Sequence, residues 1–147
     1  MYDLETEIFL PRRLDEVFAF FADARNLETL TPSFLSFSVI TEGEIDMRPG
    51  ALIDYRLRVR GIPLKWQSEI TAWEPPFRFV DEQRRGPYRV WHHEHTFEEV
   101  EGGVMARDRV RYDHIGGRLV NRLIVGPDVT RIFDYRQEKL LELFVPE

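Results

Sequence analysis

One stretch constrains this chain more than any other. From Tyr88 it reads Tyr-Arg-Val-Trp-His-His-Glu-His-Thr-Phe, passes a short acidic turn ending in Gly102-Gly103, and returns as Val-Met-Ala-Arg-Asp-Arg-Val-Arg-Tyr to Tyr112. A strand with one buried face alternates inward and outward side chains. Trp91, His93, His95 and Phe97 therefore share one face, and Val104, Ala106, Asp108, Val110 and Tyr112 share one face of the returning arm. The opposite faces carry His92, Glu94, Arg107, Arg109 and Arg111, as solvent requires. With Glu101-Gly102 as a two-residue loop, Val100 pairs with Gly103 and His95 lies across from Asp108. Directly opposed Cβ atoms stand about 4.5–5.5 Å apart, within reach of a carboxylate–imidazole contact. Two histidines and an aspartate on an apolar face are costly unless they satisfy one another or serve a ligand.

The rest of the chain supplies a partner for that face. Tyr2 to Leu10 alternates as a first strand, which Pro11 ends. Leu14 onward reads as an apolar helix with Asp15 and Glu16 in its first turn, where the helix dipole favours acids. Asp23 to Leu30 reads as a second short helix, stopped by Thr31-Pro32. Strands are expected over 37–42, 51–60, 64–73 and 77–85, before the two arms of the hairpin. In the third of these, Trp73 is phased outward; in the fourth, Phe77, Phe79, Asp81, Gln83 and Arg85 are phased inward. After Gly116-Gly117 the period becomes helical, giving a long C-terminal helix interrupted near Gly126-Pro127. The order is β-α-α-β6-α: an α+β fold in which a curved seven-stranded antiparallel sheet grips a long C-terminal helix. The expectation is one domain over 1–147, with a cavity between sheet and helix.

Charge and composition exclude several functions. Twenty basic against twenty-six acidic residues give a net charge of −6, which opposes a phosphate-binding surface and hence nucleic acid. Without cysteine there is neither a disulfide framework nor a thiolate metal site. No apolar run approaches the roughly 20 residues of a membrane span, and Met1–Glu7 lacks the features of a signal peptide. A cytoplasmic protein without stable membrane insertion is expected. No glycine loop for phosphate, nucleophile elbow or thiol nucleophile is found, so no cofactor is expected.

Several segments carry a resemblance: Trp73-Glu74-Pro75-Pro76-Phe77-Arg78-Phe79, Gly86-Pro87-Tyr88-Arg89, Trp91 to Phe97, Asp108-Arg109-Val110 and Ile132-Phe133-Asp134-Tyr135-Arg136. With the element order, they make the chain resemble the START-related (SRPBCC) helix-grip superfamily, which includes the birch-pollen-allergen and polyketide cyclase/dehydratase families. The similarity is greatest to bacterial single-domain cyclase/dehydratase-like members. It implies a hydrophobic cavity for a lipid, polyketide, quinone or similar molecule. It brings no shared catalytic motif with it, because fold does not confer chemistry.

The candidate site is a polar belt of Ser68, Asp81, Gln83, His93, His95 and Asp108 in a wall of Tyr55, Trp66, Phe77, Phe79, Trp91, Phe97 and Tyr112. Few convergent polar groups in an apolar cleft are the usual make-up of a small-molecule site. From the long helix, Phe133 joins the wall, and Arg136 either snorkels outward with its stem buried or reaches a carboxylate such as Asp81, or an acidic ligand. Three functions fit. The leading one is binding of an apolar small molecule. The second is a cyclase, dehydratase or isomerase in which His93 or His95, held by Asp108 or Asp81, acts as general base. The third is a metal site built on His93 and His95 with one of the two aspartates. A homodimer is compatible with all three.

Overall fold

The computed structural model describes residues 1–145; the last two residues of the expected 1–147 domain lie outside the described residues. Strand β1 (Tyr2–Leu10) leads through Pro11 into α1 (Leu14–Ala22), a 3-10 turn (Ala24–Asn26) and α2 (Leu27–Leu30). A second 3-10 turn (Ser33–Leu35) leads to the two-residue strand β2 (Ser38–Val39). Then come β3 (Leu52–Val59), β4 (Ile62–Glu74), β5 (Arg78–Arg85), β6 (Val90–Val100) and β7 (Gly103–Asp113). A helical segment closes the chain: α3 (Gly117–Val120), a π-helical turn (Asn121–Val125) and α4 (Gly126–Phe144). The sheet order is β1-β7-β6-β5-β4-β3-β2, antiparallel throughout, and this is the helix-grip architecture.

The hairpin has the expected register: Val100 opposes Gly103, His95 opposes Asp108 and Trp91 opposes Tyr112. Its outer face explains the arginine pattern. Arg107, Arg109 and Arg111 lie across from Glu7, Glu5 and Asp3 of β1 and make ion pairs of 3.1, 3.3 and 3.4 Å. Such exposed pairs add little stability, but opposite charges facing across a ladder favour this register.

Two irregularities correct the expected phasing. In β4, Ile70 opposes Asp81 and Ala72 opposes Val80, so Thr71 is an extra residue. A one-residue bulge sends the following side chains to the other face. Trp73, expected outward, therefore joins Phe79 inside and packs 5.2 Å from the Phe18 ring. In β5, Gln67 opposes Arg85 and Ser68 opposes Gln83, which makes Arg84 the extra residue and turns Arg85 outward. Phe77, also expected inward, precedes the strand and is exposed.

The helices pack by one stripe each. In α1 the buried residues are Leu14, Val17, Phe18 and Phe21, a 3.6-residue spacing. In α4 they are Val129, Phe133, Arg136, Leu140 and Phe144. Val129 and Phe133 join Val110 and Tyr112, whereas Leu140 and Phe144 join Leu10, Val104 and Phe18. The interruption before α4 is a π turn rather than a break. Pro127 has no N–H and its ring crowds the preceding turn; the Gly126 N–H instead reaches back five residues to the Asn121 carbonyl.

The hairpin turn is held tightly against β1. A Cβ on Gly103 would lie 2.2 Å from the Leu10 carbonyl oxygen and 3.0 Å from the Pro11 Cα, both backbone atoms. Gly103→Ala is expected to destabilise the protein by about 1–3 kcal/mol, the usual range for overpacking. At this chain length that lowers Tm by roughly 3–10 °C, measurable by scanning calorimetry. An unchanged Tm would mean that the β1 end yields freely.

Candidate functional site

The site begins as two imidazoles on one face of β6. His93 and His95 are two residues apart on the strand, so their rings point the same way and stack 3.6 Å apart at 27°. On the outer sides of the pair, Phe79 stacks on His95 at 4.0 Å and Phe133 meets His93 edge-on at 5.4 Å. These aromatic contacts leave both histidines almost fully buried, at 5% and 2% exposure.

Carboxylates flank the pair on both neighbouring strands. In the ladder Asp81 opposes His93 and Asp108 opposes His95. The shortest hydrogen bonds nevertheless run diagonally. His93 Nε2–H donates to Asp108 Oδ1 at 2.7 Å, and His95 Nε2–H donates to Asp81 Oδ2 at 2.7 Å. Directly across, the separations are longer: 3.8 Å from His93 Nδ1 to Asp81 and 3.4 Å from His95 Nδ1 to Asp108. From α4, Arg136 Nη2 donates to Asp108 Oδ1 at 3.4 Å. Arg136 thus pairs with Asp108, the carboxylate on the strand beneath α4, and not with Asp81. Thr6 Oγ1 completes the shell, 3.5 Å from the other Asp108 oxygen.

These contacts set the charges. Burial, and then the neighbouring His95, push the His93 imidazole down to about 4, so it is neutral at pH 7. Burial also opposes charge on His95, but hydrogen bonds and Coulomb attraction from Asp108 and Asp81 outweigh it and hold His95 above its ordinary value. Burial opposes ionisation of Asp108, yet Arg136 and the two histidines hold it well below the usual carboxylate range. Asp81 is shifted the same way, by His95 first. Among the described residues, one buried side-chain donor remains without a partner: the Nε–H of Arg136.

A cleft opens beside this cluster. Asp81 and His95 lie in its lining, with Tyr55, Ile53, Ile70 and Phe79 from the sheet. Phe20, Phe21, Ala24, Leu27 and Leu30 face them from the α1–α2 arm, and Met47 comes from the loop before β3. Asp81 is the most exposed member of the cluster, its side chain 19% accessible. The free space is about 20 Å3, room for one or two water centres. Two expectations are corrected here. The open space is far smaller than a lipid-sized hollow, because aromatic side chains fill the interior. It also lies under the α1–α2 arm rather than against the C-terminal helix, and no α4 residue lines it.

The other expected site residues have structural partners. Gln83 clamps the β5–β6 connection, donating to the Tyr88 carbonyl at 2.6 Å and accepting from the Tyr88 N–H at 3.0 Å. The β5–β6 ladder ends at Glu82 and His92, one residue short of Gln83. Ser68 accepts the Trp66 indole N–H at 3.0 Å. Trp66, Tyr88, Trp91 and Tyr112 form a separate aromatic group at the far end of the sheet. Phe97 packs in the main core with Phe18 and Phe21. Phe133 and Arg136 touch the histidine cluster but not the cleft. Phe21 bridges the two: it lines the cleft, and its ring centroid lies 5.3 Å from the Arg136 guanidinium carbon. His114 is buried at the β7–α3 connection, bonded to the Ile115 carbonyl and Asn121.

A curved antiparallel sheet wrapped on a terminal helix, with a polar cluster inside, defines a helix-grip protein of the START and birch-pollen-allergen kind. The family described as polyketide cyclase / dehydrase and lipid transport matches residues 10–139, and the chain belongs to it. No curated protein sequence matches. Solved structures agree on the fold. CV1439 from Chromobacterium violaceum superposes with a TM-score of 0.78 at 15% identity, over 100% of both chains. Ms6760 from Mycobacterium smegmatis gives 0.72 at 21% identity, covering 96% of this chain and 89% of the other. The ginseng major latex-like protein 151 from Panax ginseng gives 0.72 at 10% identity, covering 99% and 98%. Among the described residues no helix is long and apolar enough to cross a membrane.

Proposed function

We propose that the protein binds a small molecule with an apolar body and one hydrogen-bonding oxygen, held in the cleft beneath the α1–α2 arm. The observation that carries this is the position of Asp81 and His95. They are ionisable groups on the sheet side of a mainly apolar cleft, whose other polar residues, Asp23 and Asn26, come from the α1–α2 arm. Family membership supports the same class of ligand. Since the closed cleft holds no more than water, binding requires the short α1–α2 arm and the Met47 loop to move outward. The test uses the fluorescent probe 8-anilinonaphthalene-1-sulfonate with chelator-treated protein. Wild type is expected to bind one equivalent, and Met47→Trp, which fills the mouth from a half-buried position, to bind at least tenfold more weakly. Equal binding by the two proteins would remove the cleft as the site.

A second reading, acid–base catalysis, has its own observation: His93 is pushed down and His95 up, although they stack on one another. Environments that drive two titratable groups apart create an acid and a base side by side. In this reading His95, which reaches the cleft, exchanges the proton with a ligand carbonyl. His95→Gln would then abolish turnover of a bound carbonyl substrate while its affinity stays within a few-fold. A parallel fall in both would leave binding as the description.

A further inference from the structure

We infer that Asp81, His93 and His95 form a binding site for a divalent first-row transition-metal ion. The site goes beyond the cleft reading and does not require the cleft to admit an organic ligand. Its basis is the way the stacked rings divide their nitrogens. Each ring turns one nitrogen to Asp108: His93 Nε2 at 2.7 Å and His95 Nδ1 at 3.4 Å. Each turns the other to Asp81: His93 Nδ1 at 3.8 Å and His95 Nε2 at 2.7 Å. An imidazole that ligates a metal offers a lone pair from one nitrogen and is oriented by an acceptor at the other. Asp108 is that acceptor for His93, at 2.7 Å; His95 Nδ1 lies 3.4 Å from both Asp108 Oδ1 and Arg136 Nη2, and Arg136 keeps Asp108 an anion.

On the Asp81 side three donor atoms converge. One from each of Asp81, His93 and His95 lies within 4.8 Å of the others. Ligands about 2.0–2.2 Å from a shared ion stand roughly 3–3.6 Å from one another. Closing the set requires the two rings to tilt out of their 27° stack, so that their in-plane lone pairs meet at one point.

As an ion enters, it displaces to solvent the proton that His95 Nε2 shares with Asp81.

The donor set selects the ion. Two imidazoles and one carboxylate suit zinc, cobalt or ferrous iron; calcium and magnesium require oxygen-rich shells. With no cysteine in the chain, a thiolate site is not a competitor. Asp81 and His95 also border the cleft, so the remaining coordination position faces a space with room for a water.

The experiment is titration of chelator-dialysed protein with Co2+, followed by visible absorption. Wild type is expected to bind one equivalent with a saturable d–d band that Zn2+ displaces. Asp81→Asn and His93→Gln should each weaken Co2+ by at least tenfold, while His92→Gln, on the outer face of β6, should bind as wild type. Circular dichroism identifies the variants that retain the fold. In wild type, paramagnetic shifts must fall on the ring protons of His93 and His95 and spare His92, which decides the matter should either variant unfold. No saturable band, unchanged affinity in a folded variant, or shifts centred on His92 or His114 would each overturn the site. Dye binding by the metal-free protein reads the cleft separately, so either proposal can fail alone.

Discussion

Replacing Asp108 with alanine is expected to destabilise the fold by about 3–5 kcal/mol, the range for breaking a buried ion pair by removing one partner. The Asp108 side chain is 11% accessible and Arg136 7%, so little water reaches the guanidinium left behind. The loss also deprives His93 Nε2–H of its 2.7 Å bond to Asp108. Urea unfolding followed by far-UV circular dichroism gives the number. The pair Asp108→Leu with Arg136→Met is expected to recover much of the loss, because apolar replacement of a whole buried pair is often neutral or better. A single variant within 1 kcal/mol of wild type would show that water or a rearranged arginine satisfies the charge. A double variant less stable than Asp108→Ala would show that the cluster is worth more than its charges.

The second large effect lies at Phe18. Its ring makes edge contacts with Phe79 at 6.1 Å and Phe97 at 5.5 Å, and a tilted contact with Trp73 at 5.2 Å. A buried Phe→Ala change typically costs about 3–5 kcal/mol, from lost transfer energy and the cavity left behind. Phe18 is also where the α1 stripe meets the sheet, so its loss should loosen the α1–α2 arm. Hydrogen exchange across Leu14–Leu30 is expected to quicken more than across β6 and β7. Uniform acceleration along the chain would mean that α1 opens only with the whole fold.

The parts of this molecule that followed from a two-residue period were legible in the sequence. Glu101-Gly102 sets the hairpin register, and with it the common face of His93, His95 and Asp108. The stripe on α4 likewise placed Arg136 toward the interior. Trp73 was not legible because Thr71 adds a residue that nothing in the local pattern announces. The pairing inside the cluster was not legible either. Register puts His95 opposite Asp108, yet an imidazole is long enough to reach the diagonal carboxylate, and packing of Phe79 and Phe133 decides the angle. The cleft depends on how α1 and α2 settle over β3–β5. Phe20, Phe21, Leu27 and Leu30 are apolar positions with no mark that separates cleft from core. Met47 lies in a stretch without any period, where pattern reading has no purchase.

The pairing of β1 with β7 joins Tyr2 to Tyr112 and Leu10 to Val104. Strand β1 thus has no partner until β7, roughly 100 residues later, has been made, a wait of roughly 5–20 seconds at ordinary translation speeds. During that interval Asp3, Glu5 and Glu7 repel the same acids on a neighbouring nascent copy, so strand-to-strand aggregation is discouraged. The arginines of β7 then reward the correct partner when it arrives.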